Sequence, residues 1–256
     1  MSAAEGRTLV KVCSLEKRFG GVRAIDDMSF SLGTGELRCI IGPNGAGKST
    51  LFQLLSGQIE ADGGRIIFDG RDITNAHLFE RARMGIAVKP QGLGVLPELT
   101  VGHNLRIALY RRMRNREISP AVNCLLRRIG LSGLENALVR TLSHGQRQWL
   151  ALGMALALRP RLLLLDEPTA GMSAEETRMT TQIVRDANAE GTTIVVIEHD
   201  MAFVRQLKAP VTVLHLGRVF AQGEFSEIEA NEEVRQLYLG KGRTKTTVAK
   251  PAGRSG

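Results

Sequence analysis

The sequence predicts an α/β fold: a mostly parallel sheet covered on both faces and interrupted by a helical insertion. In the last third of the chain, short apolar runs alternate with amphipathic helical stretches, the pattern of strands crossed over by helices. A glycine-rich loop follows an apolar strand and opens a helix from residue 42 onward. Between residues 100 and 158 the apolar spacing is helical and no strand is expected.

The elements follow in order. Leu9–Leu15 and Val22–Leu32 alternate apolar and polar residues, and Gly20–Gly21 between them reads as a hairpin turn. Leu37–Ile41 is an apolar strand running into the glycine-rich loop. Lys48–Ser56 is helical and stops at Gly57. Arg65–Phe68 is a strand ended by Asp69–Gly70, and Gly85–Val88 is a short strand before Lys89–Pro90. Thr100–Met113, Pro120–Ile129 and Ser143–Leu158 are the expected helices of the insertion. The last third reads as strand Leu162–Leu165, helix Ala174–Ala189, strand Thr192–Ile197, helix Met201–Leu207 and strands Val211–Leu216 and Arg218–Gln222.

The 256 residues suffice for one large domain or two small ones with a real core. Aromatic residues make up 4%, which argues against a base-stacking platform for single-stranded nucleic acid. The net charge is +8, and Lys241–Gly256 holds five basic residues and no acidic one. Residues 241–256 therefore read as a disordered basic tail, either a solvated end or one loosely attracted to anionic lipid headgroups. Cys13, Cys39 and Cys124 lie far apart without zinc-ligand spacing. Two of the three lie in apolar runs and read as small buried hydrophobes. The N-terminus lacks a signal-peptide apolar region, and no apolar run approaches the ~20 residues of a bilayer span. A cytoplasmic protein is expected, with other chains doing any membrane crossing.

Gly42, Pro43, Asn44, Gly45, Ala46, Gly47, Lys48, Ser49 and Thr50 spell GPNGAGKST, the spacing of a phosphate-cradling loop. Glycines let backbone N–H groups surround phosphate oxygens, and the helix from Lys48 aims its positive end at the same charge. Lys48 can reach the β- and γ-phosphates, and Ser49 can ligate Mg²⁺. Asp166 ends the apolar run Leu162–Leu165 and lies 118 residues after Lys48. A buried strand ending in a carboxylate presents it at the edge where α/β folds bind ligands. Asp166 would hold Mg²⁺ through its water shell, and Glu167 would polarise an attacking water. The chemistry implied is ATP binding with Mg²⁺ and hydrolysis.

Leu142-Ser143-His144-Gly145-Gln146 resembles the LSGGQ signature of ABC ATPases, with His at the first glycine. Ser143 and Gln146 also satisfy a helix capping box, so the segment presents a second helix N-terminus to anions. The insertion separates it from the first. Two chains packed head to tail would sandwich ATP between one chain's loop 42–50 and the other's Ser143–Gln146. By the same resemblance, Gln91 is the glutamine that joins core to insertion and senses Mg²⁺ and the γ-phosphate, and His199 is the switch histidine on the γ-phosphate. Ala170–Ser173 takes the D-loop position without its usual acidic residue. Phe19 is placed like the aromatic that stacks on adenine, with an ordinary core role as the alternative. The resemblance covers residues 9–240. It implies a P-loop NTPase fold of the ABC type over residues 1–240, with an antiparallel β subdomain and a helical subdomain at about 95–158.

FGGVRAIDDMSF, LSHGQRQWLALGM, EPTAGMS, IEHDMAFV and VRQLYLG resemble the ATPases of branched-chain amino acid importers and their urea and short-chain amide relatives. The glutamine segment VKPQGLGVLPELTV departs from the urea and amide branch, and His103 stands where an acidic residue would complete a capping box after Thr100. The resemblance implies an importer ATPase on the inner face of the membrane. Its partners would be a second ATPase, permease subunits and, indirectly, a periplasmic solute-binding protein. The alternatives are a soluble ABC ATPase without a transport role, such as iron–sulfur assembly, or a nucleic-acid-binding ATPase. The latter would use Arg106, Arg111, Arg112, Arg114, Arg116, Arg127 and Arg128, which face only Glu117 as a nearby acid. No nucleic acid is expected.

Overall fold

The computed structural model describes residues 7–89, 94–110 and 113–239. Strands β1 (Thr8–Phe19) and β2 (Val22–Gly33) form the hairpin expected around Gly20, whose φ of +56° suits glycine. With β4 (Gly63–Phe68) and β5 (Arg71–Asp72) they make an antiparallel sheet of order β2-β1-β4-β5. β1 runs past the expected end at Leu15. The alternation breaks at Ser14, which has φ +44°, and the ladder passes this point through register shifts on both sides of Leu15.

The second sheet has β3 (Leu37–Ile41), β6 (Ile86–Lys89), β7 (Leu162–Asp166), β8 (Thr193–Ile197), β9 (Val211–His215) and β10 (Arg218–Gly223) in the order β10-β9-β3-β8-β7-β6. All neighbours are parallel except the β9–β10 hairpin. Leu163, Leu165, Ile194 and Val196 enter one core, whereas Leu162, Leu164, Val195 and Ile197 enter the other. Such strands are buried on both faces, which is why they read as continuous apolar runs. Helix α1 (Lys48–Ser56) and the antiparallel sheet cover the second face.

Helices α3 (Val101–Leu109), α4 (Asn115–Arg128) and α5 (His144–Ala157) form the insertion. Its base is tied by Val101 N to Ala137 O at 3.0 Å and by Val139 N to Leu99 O at 3.0 Å. α4 starts five residues before the expected Pro120. Pro120 sits inside it, and the buried face of Ile118, Val122, Leu125 and Leu126 holds the helix across the lost N–H. α3 ends at Leu109, short of the expected Met113, and Arg111 and Arg112 lie outside the described residues. His103 completes an N-cap of its own: Thr100 Oγ1 accepts from His103 N at 3.1 Å and meets His103 Nδ1 at 3.1 Å. Cys39 is buried, with burial pushing its thiol up to about 12, whereas Cys13 is half-buried and Cys124 exposed. α6 (Ala174–Ala189) and α7 (Met201–Leu207) match their expected spans.

Three short helices were not legible as helices: α2 (Leu78–Met84), α8 (Phe225–Ala230) and α9 (Glu232–Leu239). Met84 of α2 packs against the core, and the fully buried residue of the helix is a charged one. Arg81 is 1% exposed, and its guanidinium donates to the carbonyls of Ala76, Leu54, Leu55, Ile73 and Thr74 at 2.6–2.9 Å. It thereby satisfies carbonyls at the C-terminal end of α1, which the helix itself leaves open. Burial pulls its pKa down to about 10. Replacing Arg81 by Met leaves these acceptors buried and unpaired, so the variant is expected to lose ~3 kcal/mol or more of stability. Urea unfolding followed by circular dichroism checks this, and a loss under about 1 kcal/mol contradicts the capping role.

Candidate functional site

β3, β8 and β7 are adjacent and parallel, so their carboxyl ends converge on one edge of the sheet. From β3 the chain enters loop 42–47. β7 ends in Asp166, followed by Glu167, and β8 is followed by Glu198 and His199. Residues far apart in sequence thus share the edge where parallel α/β sheets take ligands.

The loop needs its glycines. A Cβ on Gly42 would stand 2.4 Å from Leu214 O, and one on Gly47, with φ +101°, would stand 2.5 Å from Ala24 O. Ala46 N donates to Pro43 O at 3.1 Å. Among the described residues no backbone carbonyl accepts from the N–H groups of Asn44, Gly45, Gly47, Lys48 or Ser49. Unpaired N–H groups on a left-handed loop at a helix N-terminus form a receptacle for anionic oxygens. Lys48 Nζ donates to Gly42 O at 2.7 Å and Pro43 O at 3.2 Å. Burial lowers its pKa, against the fields of Glu167 and Asp166.

Asp166 is half-buried, and its pKa is raised first by burial, then by Glu167. Glu167 holds φ +44°, unusual for a residue with a side chain, and its N–H donates to Ile197 O at 2.9 Å. Its Oε1 lies 3.2 Å from Nδ1 of the exposed His199. Two residues expected at one phosphate are therefore in direct contact. Ser49 is exposed at the start of α1. Among the described residues no cluster of three or more His, Cys, Asp or Glu suits a metal by itself. A hydroxyl and a carboxylate across a phosphate receptacle fit Mg²⁺, which takes most of its oxygens from phosphate and water. Ser49 and Asp166 would hold it.

Ser143 caps α5. Its Oγ accepts from Gln146 N at 3.2 Å, and its N–H donates to Gln146 Oε1 at 3.0 Å, the expected capping box. Gly145 lies so close to the Glu176 side chain that a Cβ there would stand 2.2 Å from its Oε1 and displace it. The Ser173 N–H holds Glu176 below the usual carboxylate range, and His144 and Ser143 reinforce this. His144 Nε2 donates to Ala170 O at 3.0 Å, which ties the capped end of α5 to the loop after β7. Phe19 is 48% exposed at the end of β1, with Lys17 Nζ 5.6 Å from its ring centre, so the core alternative does not hold. Gln91 lies outside the described residues, as do residues 241–256.

Glu198 was not among the expected site residues. It is 1% exposed; its Oε1 accepts from Thr169 N (3.2 Å) and Oγ1 (2.7 Å), and its Oε2 from His199 N (3.1 Å). Its signal was present: a carboxylate directly after the apolar run Thr193–Ile197 repeats the pattern that exposed Asp166.

The family pattern of the ABC transporters matches residues 25–170. The chain belongs to this family. The ABC transporter ATP-binding proteins are ATP-hydrolysing enzymes. The ribose import ATP-binding protein RbsA 1 of Rubrobacter xylanophilus is 36% identical over 92% of this chain and 48% of its own length. The chain spans about half the length of such relatives. The high-affinity branched-chain amino acid transport ATP-binding protein BraF of Pseudomonas aeruginosa is 31% identical over 92% of this chain and 99% of its own length. The crystal structure of the ADP conformation of MJ1267, an ATP-binding cassette of an ABC transporter, superposes with a TM-score of 0.83 at 29% identity, over 91% of this chain and 99% of that one. The fold is that of the ABC-type P-loop cassette.

Among the described residues, the carbonyl that His144 Nε2 meets is Ala170 O. Replacing His144 by Ala frees the loop after β7 from α5. The variant is expected to bind ATP as a monomer with unchanged affinity and to turn over roughly threefold to tenfold more slowly, because the loop carries Glu167 at its start. Equal turnover in a steady-state ATPase assay would show that the tether is idle.

Proposed function

We propose that this chain binds ATP with Mg²⁺ and hydrolyses it as the ATP-binding subunit of an importer. The observation that carries this is the convergence of loop 42–50, Asp166, Glu167 and His199 on one sheet edge. The unpaired loop N–H groups bind the phosphates, and Lys48 leaves its loop carbonyls for the β- and γ-oxygens. Ser49 and Asp166, with Gln91 outside the described residues, would hold Mg²⁺, which would supply neutralisation of phosphate charge. Glu167 orients the attacking water, and His199, on Glu167 Oε1, completes the γ-phosphate side. In-line transfer needs an oriented nucleophile and charge neutralisation, and these groups supply both. Phe19, exposed beside Lys17, takes the adenine.

The second half of the site comes from another chain. Ser143 and His144 are exposed at the capped N-terminus of α5, with Gly145 buried and Gln146 half-buried behind them, an end suited to the γ-phosphate on a partner's loop. The partner is a second copy or a paralogous ATPase, and closure on ATP moves the helical insertion against membrane permeases fed by a solute-binding protein. Among the described residues no helix is long and apolar enough to cross a membrane, and crossing is assigned to those permeases from a place on the cytoplasmic face. The solutes proposed are branched-chain amino acids or urea and short-chain amides. The near-complete overlap with BraF favours branched-chain amino acids among these. The identity to RbsA 1 supports ribose as a second reading. Arg106 and Arg128 are held by Glu135 and Glu190, which counts against a phosphate-tracking arginine stripe.

Glu167→Gln is expected to cut turnover roughly 100-fold or more and to accumulate an ATP-bound dimer on size-exclusion chromatography. Wild-type turnover would remove Glu167 from its role. Ser143→Arg is expected to block that dimer while monomeric ATP binding persists, and loss of ATP binding by the monomer would argue against a site shared between chains. Uptake assays with leucine, urea, acetamide and ribose, using the chain with its permeases, separate the solutes.

A further inference from the structure

Among the described residues, enclosed nitrogen atoms without a hydrogen-bond partner occur on Lys89, Arg128 and Arg147. Lys89, 2% exposed at the end of β6, belongs to the sheet edge of the phosphate-binding site. Arg147 keeps a guanidinium bond to Leu142 O at 3.0 Å. Arg128 differs from both, because it lines a cavity. That cavity has a volume of about 620 Å³, the size of a small-molecule pocket, and its walls are mainly apolar. Leu109, Leu125 and Leu156 reach it from α3, α4 and α5, and Leu9 and Pro160 from the start of β1 and the approach to β7. It therefore lies at the seam between the insertion and the core. Thr34, Pro160 and Thr192 on its wall precede β3, β7 and β8, which places it at the amino ends of those strands, away from the edge that carries Asp166 and Glu167.

Arg128 Nη1 pairs with Glu190 Oε2 at 2.8 Å. Its Nε and Nη2 are the enclosed atoms without a partner. The N–H groups on these two nitrogens lie side by side and point the same way, the fork that takes both oxygens of a carboxylate. Enclosed donors of this kind cost stability until an acceptor meets them. Arg161, another cation on the wall, is already taken by Asp69 at 2.7 Å. Glu190, beside the fork, favours a singly charged guest over a dianion. We propose that this cavity is a binding site for a small apolar monocarboxylate, with its carboxylate on Nε and Nη2 of Arg128 and its tail among Leu109, Leu125 and Leu156. A guest bound there bridges the insertion and the core.

Octanoate is the probe, titrated calorimetrically into the full chain with ADP in excess. Wild type is expected to bind it with a Kd of about 0.1 mM. Arg128→Gln removes the charge, and Arg128→Lys keeps the charge without the fork; each is expected to bind roughly tenfold more weakly. Octan-1-ol, which keeps only the tail, and octyl phosphate, which carries more charge, are expected to bind more weakly than octanoate. Cys124 is exposed and also lines the cavity. Saturating octanoate is therefore expected to slow its alkylation by iodoacetamide severalfold, followed by mass spectrometry of the peptide that contains it. This measurement uses the wild-type chain and stands even if the Arg128 variants do not fold. Absence of binding at about 5 mM octanoate overturns the proposal. So does equal affinity in wild type and Arg128→Lys, binding of octan-1-ol or octyl phosphate as tight as that of octanoate, or an alkylation rate that octanoate leaves unchanged.

Discussion

The carboxylate of Glu198, enclosed at the end of β8, accepts donors from Thr169, His199 and Asp200. These contacts tie the exit of β7 to the exit of β8. They add to the Glu167–His199 contact and to the bond from Glu167 N to Ile197 O, which join the same two exits. Backbone N–H groups and a hydroxyl give the buried charge the partners that a low-dielectric interior demands. The Glu167–His199 contact is set by this junction, because Glu167 N donates to Ile197 O and His199 N to Glu198 itself. The strained φ of Glu167 is held by the same lattice of bonds.

Backbone approach imposes the second constraint. The loop at residues 42–47 runs between β9 and β2 so closely that Leu214 O and Ala24 O occupy the places a Cβ would take on Gly42 and Gly47. Those walls fix the loop with its N–H groups unpaired and outward, so little ordering remains to be done when phosphate arrives. Lys48, on its own loop carbonyls, keeps a positive charge within the receptacle in the meantime.

The sheet was legible because strands buried on both faces are apolar without interruption, and Leu162–Leu165 and Thr193–Ile197 could be nothing else at that length. The loop at 42–50 was legible because its glycine and lysine spacing is imposed by the phosphate and not by the core. What stayed hidden was held by tertiary contacts of polar residues. α2 lacks an apolar stripe, because Arg81 makes its contact with the core through carbonyls. α4 was cut at Pro120, because local propensity cannot register that four buried residues hold the helix through a missing N–H. Glu198 and Lys89 were passed over because, in sequence, a charge beside a strand reads as a surface residue. Only the packing of three strand ends reveals that they are enclosed.

His144 bears on how two half-sites could act together. Its bond to Ala170 O joins the capped end of α5 to the loop that begins at Glu167, and Gly145 rests against Glu176, which caps α6 with Ser173. One cluster therefore spans the signature segment, the D-loop and the start of α6 within a single chain. In the proposed dimer, a phosphate bound at Ser143 from a partner's loop would lie one residue from the tether to the loop that carries Glu167. Coupling of this kind requires differential contact in the open and closed states, and the His144 tether supplies the physical link through which such a difference would pass.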